Sequence, residues 1–281
     1  VKRWVITLLI ATFLTGTVGI SMAQRWRRRR PPPARDRDGT IIDRRGVDTW
    51  AMKDGFKDDT FTFVRIAYYS WGGGWGNQRW DIDGPDSELN FSFRLQQLTS
   101  LKVNPEPIVL TLTDPRLFDY PFIYIVEPGF LEFSDDEVKA LRHYLLNGGF
   151  LMVDDFWGDG EWYNFQEQMG RVFPDRRWEE VPLSHEIFHC VYDLKERPQV
   201  PAIGWGMSGL SYERPERADT REVHYRAWHD DNGRMVVFAG HNTDLGDGWE
   251  REGENEQYFR EYSEKWAYPM GINIVTYAMT H

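Results

Sequence analysis

The sequence predicts an α/β protein built on a mainly parallel sheet. Three observations carry that expectation. SDDEVKALRHYLLNGG (134–149) reads as a helix with both ends marked, and FLMVDD (150–155) follows it as an apolar run too dense for a half-exposed strand. PIVLTLT (107–113) and FIYIVE (122–127) are further apolar runs of strand length, with Pro115 and Pro121 confining the connection between them. A strand, a capped helix, Gly-Gly and a buried strand together outline a right-handed crossover.

Taken in order, FTFVRIAYYS (61–70) alternates and is rich in β-branched and aromatic residues, so it is expected to be the opening strand. The loop WGGGWGNQRWDIDGPD (71–86) follows, its glycines permitting turns closed to other residues. Residues 87–101 place Leu89, Phe93, Leu95, Leu98 and Leu101 at mostly helical spacing, with Asp86 or Ser87 as cap. In the helix from Ser134, that serine and Glu137 form a capping box. Acidic residues crowd the positive end of its dipole, and Val138, Leu141 and Leu145 give the buried face. Gly148 and Gly149 end it. EWYNFQEQMGRVF (161–173) reads as a helix and RWEEVPL (177–183) as an edge strand. REVHYRAWHDDNGRMVVFAG (221–240) reads as two strands around Asp-Asp-Asn-Gly. The close, 263–281, is a helix broken or started near Pro269.

The 281 residues carry 33 Lys and Arg against 44 Asp and Glu, with 41% hydrophobic and 15% aromatic residues. That suits one well-cored domain and excludes disorder throughout. A polytopic membrane protein is excluded because Val5 to Ala23 is the only long apolar run. Cys190 is the single cysteine, which rules out an intrachain disulfide, a Cys-rich zinc site and a CxxC pair. Charge is segregated: residues 1–45 sum to +8 and residues 46–281 to −19. So acidic a domain repels phosphate backbones, and nucleic-acid binding by the folded part is not expected.

Lys2 and Arg3 precede the apolar stretch, which ends in Ser21-Met22-Ala23, the layout of a secretory signal peptide cleaved after Ala23. The five arginines among residues 25–30 leave a retained or inverted anchor open. The organisation expected is therefore a signal peptide or membrane anchor at 1–23, an Arg/Pro-rich disordered linker at 24–58 able to touch anionic lipid, and one α/β domain at 59–281. The location expected is exported, periplasmic or extracellular, with anchoring through the N-terminal segment as the variant and a cytoplasm-facing domain as the remaining alternative.

FTFVRIAYYSWGGGW, WDIDGPDSELNFSFRLQQLTSL, DPRLFDYPFIYIVEPG, LRHYLLNGGFLMVDDFWG, VPLSHEIFHCVYDL, GRMVVFAGHNTDLGDGWE and MGINIVTYAMTH, spread over about residues 60–281, resemble the domain of unknown function 4159. That family is similar to the class I glutamine amidotransferase-like superfamily, which implies a flavodoxin-like three-layer sandwich. The resemblance also implies where a nucleophilic cysteine would sit, on a tight strand-to-helix turn. The corresponding turn here is Val153–Gly158, and Asp154 and Asp155 occupy it instead of sulfur. Glutamine hydrolysis is therefore not expected. Cys190, among apolar neighbours, reads as a buried structural thiol. GGFLMVDD and HEIF resemble the trehalose-utilisation-like branch, with Glu186 where that branch has a proline.

Several constellations are candidates for function. Asp154 and Asp155 end a central strand, where ligands of open α/β sheets bind; alternation aims one at a ligand and leaves the other to cap a turn. His185, Glu186 and His189 spell HExxH, but Pro182 and the short run to Asp193 argue against the long helix a zinc protease needs, so structural hydrogen bonding competes with a metal role. Asn242, Asp244, Asp247 and Trp249 follow an apolar strand among Gly240, Gly246 and Gly248, a set suited to a hard cation, sugar hydroxyls or plain Asx-turns. Trp71, Trp75, Trp80, Trp157, Trp162, Trp205 and Trp249 fall in expected loops, where they stack on sugars or cover the sheet edge.

The expected site thus has Asp154, Asp155 and His185 as catalytic candidates. Trp157, Asn242, Asp244, Asp247 and Trp249 are its ligand contacts, and His185, His189 and Asp244 its metal candidates. The sequence requires no cofactor. Two functions stay open: a binding or accessory module for a glycan or protein partner, and a hydrolase using carboxylates with or without a divalent metal.

Overall fold

The computed structural model describes residues 40–52, 60–71 and 79–281. The apolar segment 1–23, the arginines at 25–30 and Trp75 lie outside the described residues. One sheet contains β1 (Val64–Ile66), β2 (Ile108–Leu110), β3 (Phe122–Val126), β4 (Phe150–Asp154), β5 (Glu179–Glu180), β6 (His224–His229) and β7 (Met235–His241). Their spatial order is β2-β1-β3-β4-β7-β6-β5. The first five strands in that order run parallel, and β6 and β5 add antiparallel at one edge. The class is α/β with a mostly parallel sheet, as the crossover pattern predicts.

Between strands lie α1 (Asp86–Leu98), α2 (Asp135–Leu146), α3 (Asp159–Val172) and α4 (Ile203–Gly206), and after the last strand come α5 (Leu245–Glu250), α6 (Glu256–Tyr258) and α7 (Tyr268–Thr280). Strand alternation divides the core into two. Phe122, Tyr124, Phe150 and Met152 point to one face and pack with Phe91 and Leu95 of α1 and Met270 and Ile274 of α7. Ile123, Ile125, Leu151 and Val153 point to the other and pack with Leu141 of α2 and Phe165 and Met169 of α3. Helices therefore cover both faces, which explains why the central strands read as continuous apolar runs.

Sequence grammar and structure agree most closely at α2. Ser134 Oγ accepts from Glu137 N at 3.3 Å while Ser134 N donates to Glu137 Oε2 at 2.8 Å. Gly148 takes φ +106 at the helix exit, and a Cβ on Gly149 would meet the Tyr144 ring at 2.3 Å. Ser134→Ala removes the reciprocal pair and is expected to cost about 1 kcal/mol in chemical unfolding.

Other expectations need correction. The opening strand is three residues long, because past Ala67 the chain leaves β2 and pairs Ser70 with Leu131 instead. β5 keeps two residues of the expected 177–183, since Pro182 has no N–H to extend a ladder. The closing helix does start near Pro269, as expected, at Tyr268 with the proline in its first turn, but an unexpected π-helical stretch, Phe259–Ala267, precedes it. Part of the stretch expected as a disordered linker is packed: Ile41 is buried, Arg44 Nη1 donates to Pro105 O at 3.0 Å, and Trp50 Nε1 donates to Val103 O at 2.7 Å. Cys190 is exposed rather than buried; its Sγ donates to Asn273 O at 3.3 Å, and partial burial pushes the thiol up, the reverse of an activated nucleophile. No described helix is long and apolar enough to cross a membrane.

Candidate carboxylate site

Because β1, β3, β4 and β7 are parallel, the segments that leave them meet at one edge. The chain steps from β1 to β2 on one side and returns to β3 on the other, so the strand order reverses between β1 and β3, the place where open α/β sheets bind ligands. Asp83 arrives on the segment after β1, Glu127 follows β3, Asp155 follows β4, and Asn242–Asp247 follow β7. Asp83, Glu127, Asp155 and Asn242 all take positive φ, between 47° and 63°. Left-handed backbone at non-glycine residues costs of order 1 kcal/mol or more each, and such positions gather at functional sites.

The carboxylates divide by what already satisfies them. Asp154, fully buried, accepts from Tyr124 Oη at 2.5 Å and from Leu245 N and Gly246 N at 2.7 and 3.3 Å, so it fastens the start of α5 to β4. Burial pushes its carboxyl up to about 6, and those donors restrain the rise. Asp247 accepts from Ile203 N at 2.6 Å and from Arg251 Nε at 3.1 Å. Asn242 spends its amide on Asp219 O, Glu222 O and Gly158 N, clamping three segments together.

Asp83, Asp155 and Asp244 are different. Each offers an oxygen, and the three oxygens lie within 4.8 Å of one another. Asp155 receives Trp157 Nε1 at 3.1 Å, and Asp244 caps α5 by accepting from Asp247 N at 2.7 Å. Oδ2 of Asp83 is shielded from solvent and accepts no hydrogen bond. Among the described residues none of the three has an ion-pair partner. Burial raises all three carboxyls: Asp83 to about 8 with Asp247 adding repulsion, Asp155 and Asp244 well above the ordinary range with Glu127 and Asp155 respectively adding to it.

Arg65, on β1, supports this arrangement. Its guanidinium pairs with Glu88, donates to Trp80 O and Ile82 O at 2.8 Å each, and so fixes the segment that delivers Asp83. Both members of the pair have side chains only 3% exposed. On the opposite flank Arg214 Nη1 pairs with Glu161 at 2.6 Å.

The structure thus brings Asp154, Asp155, Asn242, Asp244 and Asp247 to one edge. It does not bring His185 and His189 there. His185 caps a single 3-10 turn, Glu186–Phe188, accepting from Ile187 N through Nδ1, and its ring sits 5.6 Å from Tyr277. Tyr277 in turn packs on Phe150, where β4 begins, so His185 lies at the amino edge of the sheet. His189 spends Nδ1 on Asp193 and Nε2 on Leu183 O, both at 2.7 Å. A 3-10 turn cannot present the two imidazoles on one helical face, and the HExxH letters carry no metal geometry.

The tryptophans also turn inward. Trp157 is 1% exposed, and Trp249 is fully buried against Phe91, with its Nε1 on Ala267 O. Neither offers a ring face to a ligand. Trp162 is likewise buried and Trp80 and Trp205 half-buried, whereas Trp71 is 48% exposed.

Sequence reasoning missed Asp83, Arg65, Glu127 and Arg251. Arg65 left a signal, a lone charge in an apolar strand, which demands a buried partner. Asp83 left a weaker one, an Asp-Gly-Pro turn just before a helix.

The family model described as Domain of unknown function (DUF4159) matches residues 62–279, so the chain belongs to that family. No curated protein matches the chain.

Proposed function

We propose that this member of the DUF4159 family is a ligand-binding or accessory module whose site holds one divalent cation among Asp83, Asp155 and Asp244. The observation that carries the reading is the convergence of three poorly satisfied carboxylates, one with an orphaned buried oxygen, at the strand-order reversal of a parallel sheet. Like charges so close cannot all ionise in a shielded pocket unless a cation joins them, and an all-oxygen set suits a hard ion such as Mg2+, Ca2+ or Mn2+. The strand order β2-β1-β3-β4-β7 supports the flavodoxin-like reading, and Asp155 at the turn where the amidotransferase-like superfamily places sulfur supports a relative without thiol chemistry. The ion presents its open positions to a glycan or a partner protein, consistent with an acidic domain routed out of the cell or held at a membrane by residues 1–23.

A hydrolase is the second reading, favoured by Asp155. Its carboxylate combines left-handed backbone with a raised pKa, which suits a group that takes a proton from water. Elemental analysis and thermal melting of the full chain test the first reading. Wild type is expected to retain about one ion and to melt higher with it, Asp244→Asn to lose both effects, and His185→Ala to keep them. Wild type that binds no divalent ion would refute the reading. Loss of turnover on a glycan or ester in Asp155→Asn, with ion content intact, would select the hydrolase.

A further inference from the structure

Asp83 belongs to a second carboxylate set as well. Asp83, Asp247 and Glu250 also place one oxygen each within 4.8 Å of one another. On distances alone the edge could hold two ions bridged by Asp83, the arrangement used in two-metal displacement chemistry. The two sets are not chemically alike. In the second, a protein cation is already present: Arg251 Nε donates to Asp247 Oδ1 at 3.1 Å, Nη2 lies 2.8 Å from Glu250 Oε2, and Nη1 reaches Glu254 Oε1 at 3.4 Å. The remaining Asp247 oxygen takes Ile203 N and Tyr258 Oη. In the first set the described residues supply no such cation.

We infer that Arg251 is the built-in cation of the second carboxylate set and so restricts the site to a single divalent ion. The inference rests on the cation-binding reading above and fixes its stoichiometry. Three features make the arginine a fixed occupant. Arg251 ends α5, with its backbone N on Asp247 O at 3.0 Å, so backbone and guanidinium are tied to the same residue. Its side chain is 14% exposed, which limits competition from water. Glu250, 8% exposed, has an Oε2 that accepts no hydrogen bond and is held by charge alone. Take the guanidinium away and that oxygen, with Oδ1 of Asp247, loses its cation, and a second divalent ion fits the vacancy in both charge and ligand type. One ion polarises or positions a ligand. It cannot clamp attacking and leaving oxygens from both sides.

Arg251→Gln in the full chain tests this, with Mn2+ as the probe and bound ion counted by loss of the free-ion electron paramagnetic resonance signal. Wild type is expected to bind one Mn2+ and R251Q two, with the paired ions in R251Q showing spin coupling. Arg251→Gln combined with Glu250→Gln is expected to return to one. R251Q binding no more Mn2+ than wild type would overturn the inference. Should wild type bind none and R251Q one, the role of Arg251 stands and the native cation site falls. If R251Q is recovered folded only when Mn2+ is in the medium, the ion is replacing the arginine as inferred; failure to fold both with and without it counts against.

Discussion

Arg65→Ala is expected to destabilise the protein by about 3–5 kcal/mol in denaturant unfolding. Arg65 and Glu88 are a shielded pair, so truncating the arginine strands a carboxylate with no water to turn to. The same change removes donors from Trp80 O and Ile82 O, which lie just ahead of Asp83. Cation affinity should therefore fall along with stability, although Arg65 touches neither ion nor ligand. Arg65→Met with Glu88→Leu separates the two effects. The apolar pair recovers much of the stability because no charge is left unpaired, but it restores no donor to the loop, so the weakened cation binding persists. Equal loss of stability in the single and double variants would show that packing, not an uncompensated charge, sets the cost.

The second large effect concerns pH. Burial raises Asp83 to about 8 and Asp154 to about 6, above the ordinary carboxylate range, and raises Asp155 and Asp244 in the same direction. For a carboxyl whose folded pKa lies above its unfolded one, the native state holds the proton more tightly. The resulting stability is fully present below the unfolded pKa and disappears as pH climbs through the folded value. Cation-free protein should accordingly melt lower at about pH 8.5 than at about pH 5.5. Carboxyls shifted the other way, such as Asp114 and Asp219 at about 2, are ionised in both states throughout that window and do not offset the trend. His241, which burial holds down to about 3, and His185, lowered by the same cause, do work against it, because each gains a proton on unfolding at the acid end. The raised carboxyls of Asp83, Asp154, Asp155, Asp244 and Glu250 outnumber them. A divalent ion competes with those protons, so its stabilisation should grow with pH, reaching about 2.7 kcal/mol at a hundredfold excess over Kd. Melting curves with chelator and with saturating Mg2+ or Ca2+ at both pH values check this. An ion effect that shrinks toward alkaline pH would contradict it.

How far the site could be read in the sequence follows from where each group sits. Asp154, Asp155, Asp244 and Asp247 were legible because carboxylates directly after apolar strands point to the carboxyl edge of a parallel sheet. What the pattern could not reveal was the division of labour. Asp154 and Asp247 are spent on backbone donors that belong to remote segments, and only folding shows which donors reach which oxygen. Asp83 was hidden because the segment between β1 and α1 is glycine-rich and lacks any period, so nothing local says where it returns. His185 and His189 misled for the opposite reason: their spacing implies a helix that Pro182 and the 3-10 turn do not allow. Trp157 precedes Gly158 and Trp249 follows Gly248 in what looks like loop, yet every residue from Phe150 to Gly158 and from Gly240 to Glu250 is buried, and a ring that size at such a turn must fill the core.

The fold was more accessible. α2 and β4 carry local signals that agree with their tertiary roles, a capping box, a glycine stop and an apolar run. β1 and β5 were overestimated because periodicity says which residues favour a strand but not where a neighbour is available to pair.

Whether Asp83, Asp155 and Asp244 hold a hard cation at the carboxyl edge is decided by anomalous diffraction from crystals of the protein soaked in Mn2+. One peak is expected, bounded by carboxylate oxygens of those three residues and absent in Asp244→Asn. A map with no peak there, or with its peak at His185 and His189, would contradict that placement of the ion.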